Sequence, residues 1–335
     1  MKAKLIFNKK LLLIFPNVLV VCFLIFSLYF YIDYQKFPAI VPISGKNALW
    51  ARHQWVGEQH NSEEYRNLTQ LLKDNKITDV FFHVGPLNVE GKIEPEKYLF
   101  AKDLIVNLKK DYPELHIQAW IGQVERKGGG ILDLSKTEVK KNVVETANDF
   151  LSLGFDGIHY NIEPVYSHDK NFIELLVETK KTTSSQNKIL SVASDELELF
   201  WGAEGLARTV SKQAGFWDEP YYREVASNVD QIAVMMYDTA LPFNWMYAKL
   251  VSWETKRLIN IIDSKVTLFM GVPTYEDKRW SFHPSAENID SALRGIKKGL
   301  VIFPKDQMNF GVAIYAEWTT DKEEWNNYKR NWLGE

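Results

Sequence analysis

Cysteine is nearly absent. The 335 residues include one, Cys22, so no intramolecular disulfide can staple the chain. No G-x-G-x-x-G follows an apolar run, and Gly128–Gly129–Gly130 lacks the Gly-Lys-Ser/Thr that completes a phosphate cradle, so that loop reads as flexible backbone. His53, His83, His159 and His168 are scattered without metal-ligand spacing, and neither a metal nor a cofactor is expected. A basic stripe is missing as well. Residues 1–36 hold five Lys and one Asp, net +4, which leaves −7 on the rest of a chain whose net charge is −3. An acidic body does not suit nucleic acid, whose phosphates need clustered Lys and Arg. Aromatic residues, in contrast, make up 13% of the chain, and an acidic, aromatic-rich body suits neutral sugar.

Leu11–Ile32 carries no charge and is broken only by Pro16, Asn17 and Ser27. A run of about 20 such residues spans a bilayer as a helix. Lys2, Lys4, Lys9 and Lys10 precede it, which places residues 1–10 in the cytoplasm and the body outside the cell. The run exceeds the apolar core of a typical signal peptide, and no A-x-A site follows. Cys22 follows Val21, not a small residue, which disfavours lipoprotein processing. The expectation is a single-pass cell-membrane protein with an uncleaved signal anchor over 11–32, the alternative being a cleaved signal peptide. Residues 33–46, with Pro38, Pro42 and Gly45, read as a linker.

From residue 47 to 335, short apolar or alternating runs recur between helical stretches. The runs are Ala48–Trp55, Thr78–Val84, His116–Ile121, Gly157–Glu163, Ile189–Ala193, Gln231–Tyr237, Val266–Val272 and Phe310–Tyr315. Helical spacing marks Ser62–Asn75, Ala101–Tyr112, Lys136–Leu153, Asn171–Thr182 and Ala286–Gly299. Eight strand–helix units predict a (β/α)8 barrel, with its site at the C-terminal ends of the strands. A doubly wound open sheet is the structural alternative.

The most informative stretch runs from Gly154 to Glu163. Alternation from Ile158 onward puts His159, Asn161 and Glu163 on one strand face and Ile158, Tyr160 and Ile162 on the other. Three polar groups on one face do not suit an apolar core, because each needs a partner once buried. They read as an active-site wall that Pro164 terminates.

This stretch resembles the fourth-strand signature of glycoside hydrolase family 18, the chitinases and their relatives, written D-G-x-D-x-D-x-E. Asp156, Gly157 and Glu163 match, while His159 and Asn161 stand where that family has its two inner aspartates. An Asn two residues before the Glu is also the pattern of family 85, the endo-β-N-acetylglucosaminidases. Met235–Met236–Tyr237–Asp238 is similar to the sixth-strand M-x-Y-D, Gly271–Val272–Pro273–Thr274–Tyr275 to the seventh-strand G-[IV]-P-x-Y, and Gly311–Val312–Ala313–Ile314–Tyr315 to the eighth-strand G-V-M-x-W, with Tyr315 in place of the floor Trp. The stretch between Tyr275 and Phe310 is too short for the α+β module some members insert there, which predicts a shallow, open cleft.

The resemblance implies a glycosidase of the chitinase or endo-β-N-acetylglucosaminidase type, acting on a polysaccharide or oligosaccharide of β-linked N-acetylhexosamine, and the expected anchor would hold this enzyme outside the cytoplasm. It also implies substrate-assisted catalysis, in which the substrate's 2-acetamido oxygen replaces a second enzyme carboxyl. Glu163 would be the general acid/base and Asn161 would accept from the acetamide N–H. Tyr237 would donate to the acetamide oxygen, and Asp238 would help hold the group. With Asn161 neutral, any rise in the Glu163 pKa must come from burial or from Asp238. His159 is expected to hydrogen-bond Asn161 and to stay neutral. Trp50, His159, Met236, Tyr275, Tyr315 and Trp318 are the candidate substrate contacts. Asp195–Glu196, after the fifth strand, reads equally as site lining or as a helix start. Two alternatives remain: a catalytically inactive, chitinase-like sugar-binding protein, and a two-carboxylate enzyme using Glu163 with Glu276.

Overall fold

The computed structural model describes residues 9–36, 38, 45–212, 214–277, 279–301, 303 and 309–335. Its strands are β1 (Lys46–Ala51), β2 (Asp79–Pro86), β3 (His116–Val124), β4 (Gly157–Glu163), β5 (Ile189–Ser194), β6 (Gln231–Val234), β7 (Thr267–Pro273) and β8 (Phe310–Tyr315). Neighbours pair in parallel and β8 pairs back to β1, so the sheet closes in chain order. A closed parallel sheet buries both faces, which is why these strands read as near-continuous apolar runs. The (β/α)8 barrel expected from the spacing is present, and β4 and β8 have the expected bounds.

Two strands stop early. β1 ends at Ala51, and Trp55 lies in a short helix, α2 (Gln54–Gly57). β6 ends at Val234, and the backbone turns to a positive φ of 63° at Asp238, which frees the segment from 235 onward to line the site.

The helix layer comprises α3 (Ser62–Asp74), α4 (Ala101–Asp111), α5 (Thr137–Leu153), α6 (Lys170–Ser185), α7 (Ala203–Val210), α8 (Glu219–Ala226), α9 (Asn244–Ile261), α10 (Ile289–Leu300) and α11 (Lys322–Tyr328). Local chemistry sets the ends. Asn61 and Glu64 form a capping box on α3, and Asp321 and Glu324 form one on α11. Gly154 closes α5 with a left-handed φ of 113°, which opens the tight turn into β4.

Helix α1 (Lys9–Gln35) precedes the barrel. Among the described residues no helix is long and apolar enough to cross a membrane, so the anchor expected over 11–32 finds no support in the structure. The side chains of residues 9–16 and 19 lie outside the described residues, as do residues 1–8 of the expected cytoplasmic tail. Of the expected linker, residues 33–35 belong to α1, and 37 and 39–44 lie outside the described residues. The end of α1 is docked onto the barrel. Phe30 stacks on Trp245 of α9 with centroids 5.7 Å apart, and Asp33 pairs with Lys298 of α10 at 2.7 Å. Tyr34 is buried, with its hydroxyl 3.2 Å from Asp290 Oδ2 and 3.1 Å from Ser291 Oγ.

The barrel interior is filled in layers. At the N-terminal end Gln118 donates to Asp79 at 3.1 Å and to Gln231 at 2.7 Å, and Gln231 donates to Asp79 at 2.8 Å. Above this polar layer sit Ala48, Trp50, Phe81, Phe269 and Ala313. His159 joins them, fully buried and stacked on Phe81 with centroids 3.8 Å apart. Trp50 Nε1 donates to His159 Nε2 at 3.1 Å, and His159 Nδ1 lies 2.9 Å from Ser191 Oγ. Trp50 has only a donor, so Nε2 accepts and the ring proton sits on Nδ1. These partners replace the expected bond to Asn161. Desolvation holds the imidazole pKa down at about 3, so His159 is neutral.

Two predictions follow from this interior. A methyl group at Gly311 would overlap the Lys46 carbonyl across the β8–β1 seam. Gly311→Ala is therefore expected to cost about 1–3 kcal/mol of unfolding free energy, read by urea denaturation. The unfolded chain protonates His159 near the ordinary value of 6.5 while the folded protein resists until about 3. Stability from this site is present above about pH 6.5 and is lost progressively as pH falls toward 3. Imidazole nitrogen NMR should show neutral, Nδ1-protonated His159 at about pH 5; an imidazolium signal there would refute the assignment.

Candidate active site

The site stands at the C-terminal ends of β3 to β8, where strand alternation and barrel closure converge. Along β4, Ile158, Tyr160 and Ile162 pack outward against the helices, and His159, Asn161 and Glu163 point inward as expected. His159 lies too deep to reach a substrate; Asn161 and Glu163 stand above it, partly buried.

Glu163 has its pKa raised chiefly by burial. A hydrogen bond from the Asn161 side chain opposes the rise and the Asp238 charge adds to it. The two compensations expected for the missing aspartate are thus both present. Asn161 has its amide committed toward Glu163, while its Oδ1 is buried with no hydrogen-bond partner. An orphan acceptor of this kind is uncommon in folded proteins and leaves the Asn161 oxygen available to an incoming donor.

Tyr237 and Asp238 follow β6. Tyr237 stacks on Tyr315 with centroids 5.2 Å apart and meets Tyr275 edge-on at 5.9 Å. Burial, then the Tyr315 hydroxyl and the Glu163 charge, hold its pKa well above the usual value, so its hydroxyl stays a donor. Asp238 accepts from the Tyr275 hydroxyl at 3.2 Å and from Ser281 Oγ at 3.2 Å. The Tyr275 ring is itself buried against Phe282 at 4.1 Å, so Tyr275 holds Asp238 rather than offering a face to sugar.

Two cavities flank the Tyr237–Tyr315 pair. The larger, about 960 Å³, is lined on its polar side by Glu163, Asp195, Glu196, Tyr237 and Asp238, and on its apolar side by Leu199, Val210, Met235, Trp245 and Trp280 among others. The smaller, about 350 Å³, is lined by Arg52, His53, Gln54, His83, Trp120, Tyr315 and Trp318. The segment joining β5 to β6, including α7, builds one wall of the larger cavity, and Arg279, Trp280 and Ser281 after β7 add to its lining.

Some candidates are placed elsewhere. Trp50 is buried in the barrel and spends its indole N–H on His159, so it supports the site from below. Met236 is buried facing α9, and its carbonyl accepts from Tyr247 at 2.5 Å; Met235, one residue earlier, lines the cavity instead. The M-x-Y-D likeness did not distinguish the two, but β-parity does: Ala233 and Met235 share the inward face. Glu276 is exposed and lines neither cavity. Asp195 and Glu196 resolve to site lining, with parity from inward Ser191 pointing to Asp195. Trp120, on β3, was not singled out. Its Nε1 is also buried without a partner, and alternation with Gln118 puts it on the inward face. Among the described residues no three His, Cys, Asp or Glu side chains converge to hold a metal ion.

The family model for glycosyl hydrolases family 18 matches residues 54–333. No curated protein sequence matches the chain. Among solved structures it is similar to the spore cortex-lytic enzyme SleL of Bacillus megaterium, at 12% identity over 86% of this chain and 74% of that one, TM-score 0.58. It is similar to a chitinase of Chromobacterium violaceum, at 14% identity over 87% and 99% of the two chains, TM-score 0.58. The Ostrinia furnacalis Group IV chitinase in complex with allosamidin also resembles it, at 14% identity over 86% and 98%, TM-score 0.57. Such distant likeness establishes the barrel alone. The family match covers β2 to β8, including the strand ends that carry Asn161, Glu163, Tyr237 and Asp238. The chain belongs to glycosyl hydrolases family 18.

Proposed function

We propose that this protein is a glycoside hydrolase that cleaves β-linked N-acetylhexosamine glycans by substrate-assisted retaining catalysis. The observation that carries this reading is the buried, partnerless Oδ1 of Asn161 beside Glu163. An acetamide N–H is a donor of the right kind for that acceptor, and no second enzyme carboxyl is then needed as nucleophile.

Glu163 donates its proton to the glycosidic oxygen while the acetamide oxygen attacks the anomeric carbon and the leaving sugar departs. Asn161 Oδ1 accepts from the acetamide N–H, and Tyr237 donates to the acetamide oxygen. Asp238, fixed by Tyr275 and Ser281, stands against the developing positive charge of the oxazolinium. Glu163, now a carboxylate, takes a proton from the water that opens that ring. The raised pKa of Glu163 suits the first step, and the neutrality of His159 keeps a cation from lowering it. The relatives named as chitinases, one bound to allosamidin, support a glycan of this class. The uncharged run 11–32 behind four Lys supports a body held at the outer face of a membrane, a location resting on the sequence alone.

The test is turnover by the full chain, purified in detergent, on a panel of β-N-acetylhexosamine glycans. Glu163→Gln is expected to lower kcat by about 10²–10⁴-fold while glycan binding persists. A thiazoline analogue of the oxazoline intermediate should inhibit the native protein. Binding without cleavage by the native protein would make it a sugar-binding barrel instead. Because the Asp238 charge raises the Glu163 pKa, Asp238→Asn should move the alkaline limb of the kcat/KM profile to lower pH. An unmoved limb would remove Asp238 from the electrostatics of Glu163.

A further inference from the structure

The wall of the larger cavity beyond Glu163 holds more carboxyl groups than the proposed reaction uses. Asp195 and Glu196, partly buried at the end of β5, line it, as does Glu254 of α9. Glu254 is fully buried, yet only one of its oxygens is engaged: Oε2 accepts from the Leu197 N–H at 3.3 Å. Its Oε1 has no partner. No hydrogen bond or ion pair holds the Asp195 carboxylate among the described residues, and Gly215 makes room for it, since a methyl group there would overlap its Oδ2 and Cγ. Burial keeps the Glu196 and Glu254 carboxyls above the usual range, with the Glu254 charge adding to the rise at Glu196. The cations on the same cavity are turned to other partners. Lys249 lies over the Phe30 ring at 5.4 Å, and Arg279 pairs with Asp277 at 3.3 Å.

Carboxyl groups that neither Lys249 nor Arg279 engages select a ligand that brings its own positive charge and several donors. A metal ion does not fit, because these groups do not converge as ligands do. A primary ammonium does: it has three N–H donors and pairs with carboxylates that become ionised as it enters. We propose that Asp195, Glu196 and Glu254 form a subsite for a hexosamine residue whose amino group is free, so that the substrate is a partly de-N-acetylated glycan. This rests on the reaction proposed above, which demands an acetylated sugar at Glu163 and therefore places the free amine on a neighbouring residue. The same wall disfavours a sugar carrying a carboxylate.

The test compares two β-linked N-acetylglucosamine oligosaccharides of equal length, one fully acetylated and one with about half its amines free, near neutral pH. The full chain is expected to show a KM at least about tenfold lower for the amine-bearing glycan, as one charge-assisted hydrogen bond provides. Glu254→Gln should erase most of that discrimination. Gly215→Ala, which displaces the Asp195 carboxyl without removing a charge, should reduce it too. Thermal melts of both variants establish that they fold. Equal KM values for the two glycans, or a lower one for the acetylated glycan, overturn the subsite and leave the proposed reaction standing. If neither glycan is cleaved, the reaction assigned to Glu163 has failed. Calorimetry of glucosamine oligomer binding to Glu163→Gln then decides the subsite alone: salt-sensitive binding weakened by adding Glu254→Gln supports it, and no binding refutes it.

Discussion

A chain of two hydrogen bonds, Trp50 to His159 to Ser191, ties β1, β4 and β5 together inside the barrel. Everything above it depends on that connection. A closed barrel of eight strands must fill its interior with side chains, and here an imidazole fills part of that space where an aliphatic side chain would serve as well. The two partners satisfy both ring nitrogens, so burial costs little in hydrogen bonding, and desolvation keeps the ring uncharged. His159 therefore gives β4 a rigid, neutral base on which Asn161 and Glu163 are presented.

Neutrality below the site matters because the local electrostatics are spare. With Asn161 beside it, Glu163 has no adjacent anion on its own strand. Its raised pKa comes instead from desolvation and from Asp238, which a bent segment after β6 delivers across the barrel mouth. A cationic histidine would oppose both effects. Asp238 in turn depends on Tyr275 and Ser281, so the segments after β6 and β7 cooperate in setting the proton affinity of Glu163 at the end of β4.

The residues differ in how readable they were. Strand alternation alone assigned Asn161 and Glu163 to the inward face, because a pleated backbone allows no other arrangement once one face packs on helices. The same parity would have assigned Met235, Asp195 and Trp120 inward, but motif likeness drew attention to Met236 and did not reach β3. Trp50 and Tyr275 were read as sugar-stacking faces because both end strands; each is covered, Trp50 by the barrel core and Tyr275 by Phe282. The cavity wall contributed by the β5–β6 connection was not legible in the sequence, because that connection has little periodicity of its own.

By itself the sequence determined the number and order of the strands, the direction in which β4 presents its polar residues, and the family. Those properties follow from local periodicity and from short motifs whose residues are neighbours in the chain. The tertiary structure alone decided which groups meet: His159 with Trp50, Asp238 with Tyr275, and Glu254 with the carboxyls after β5. Such partners lie tens to more than a hundred residues apart. Their encounter is set by closure of the sheet and by helix packing, and so are the desolvation and the empty acceptors that give the site its chemistry.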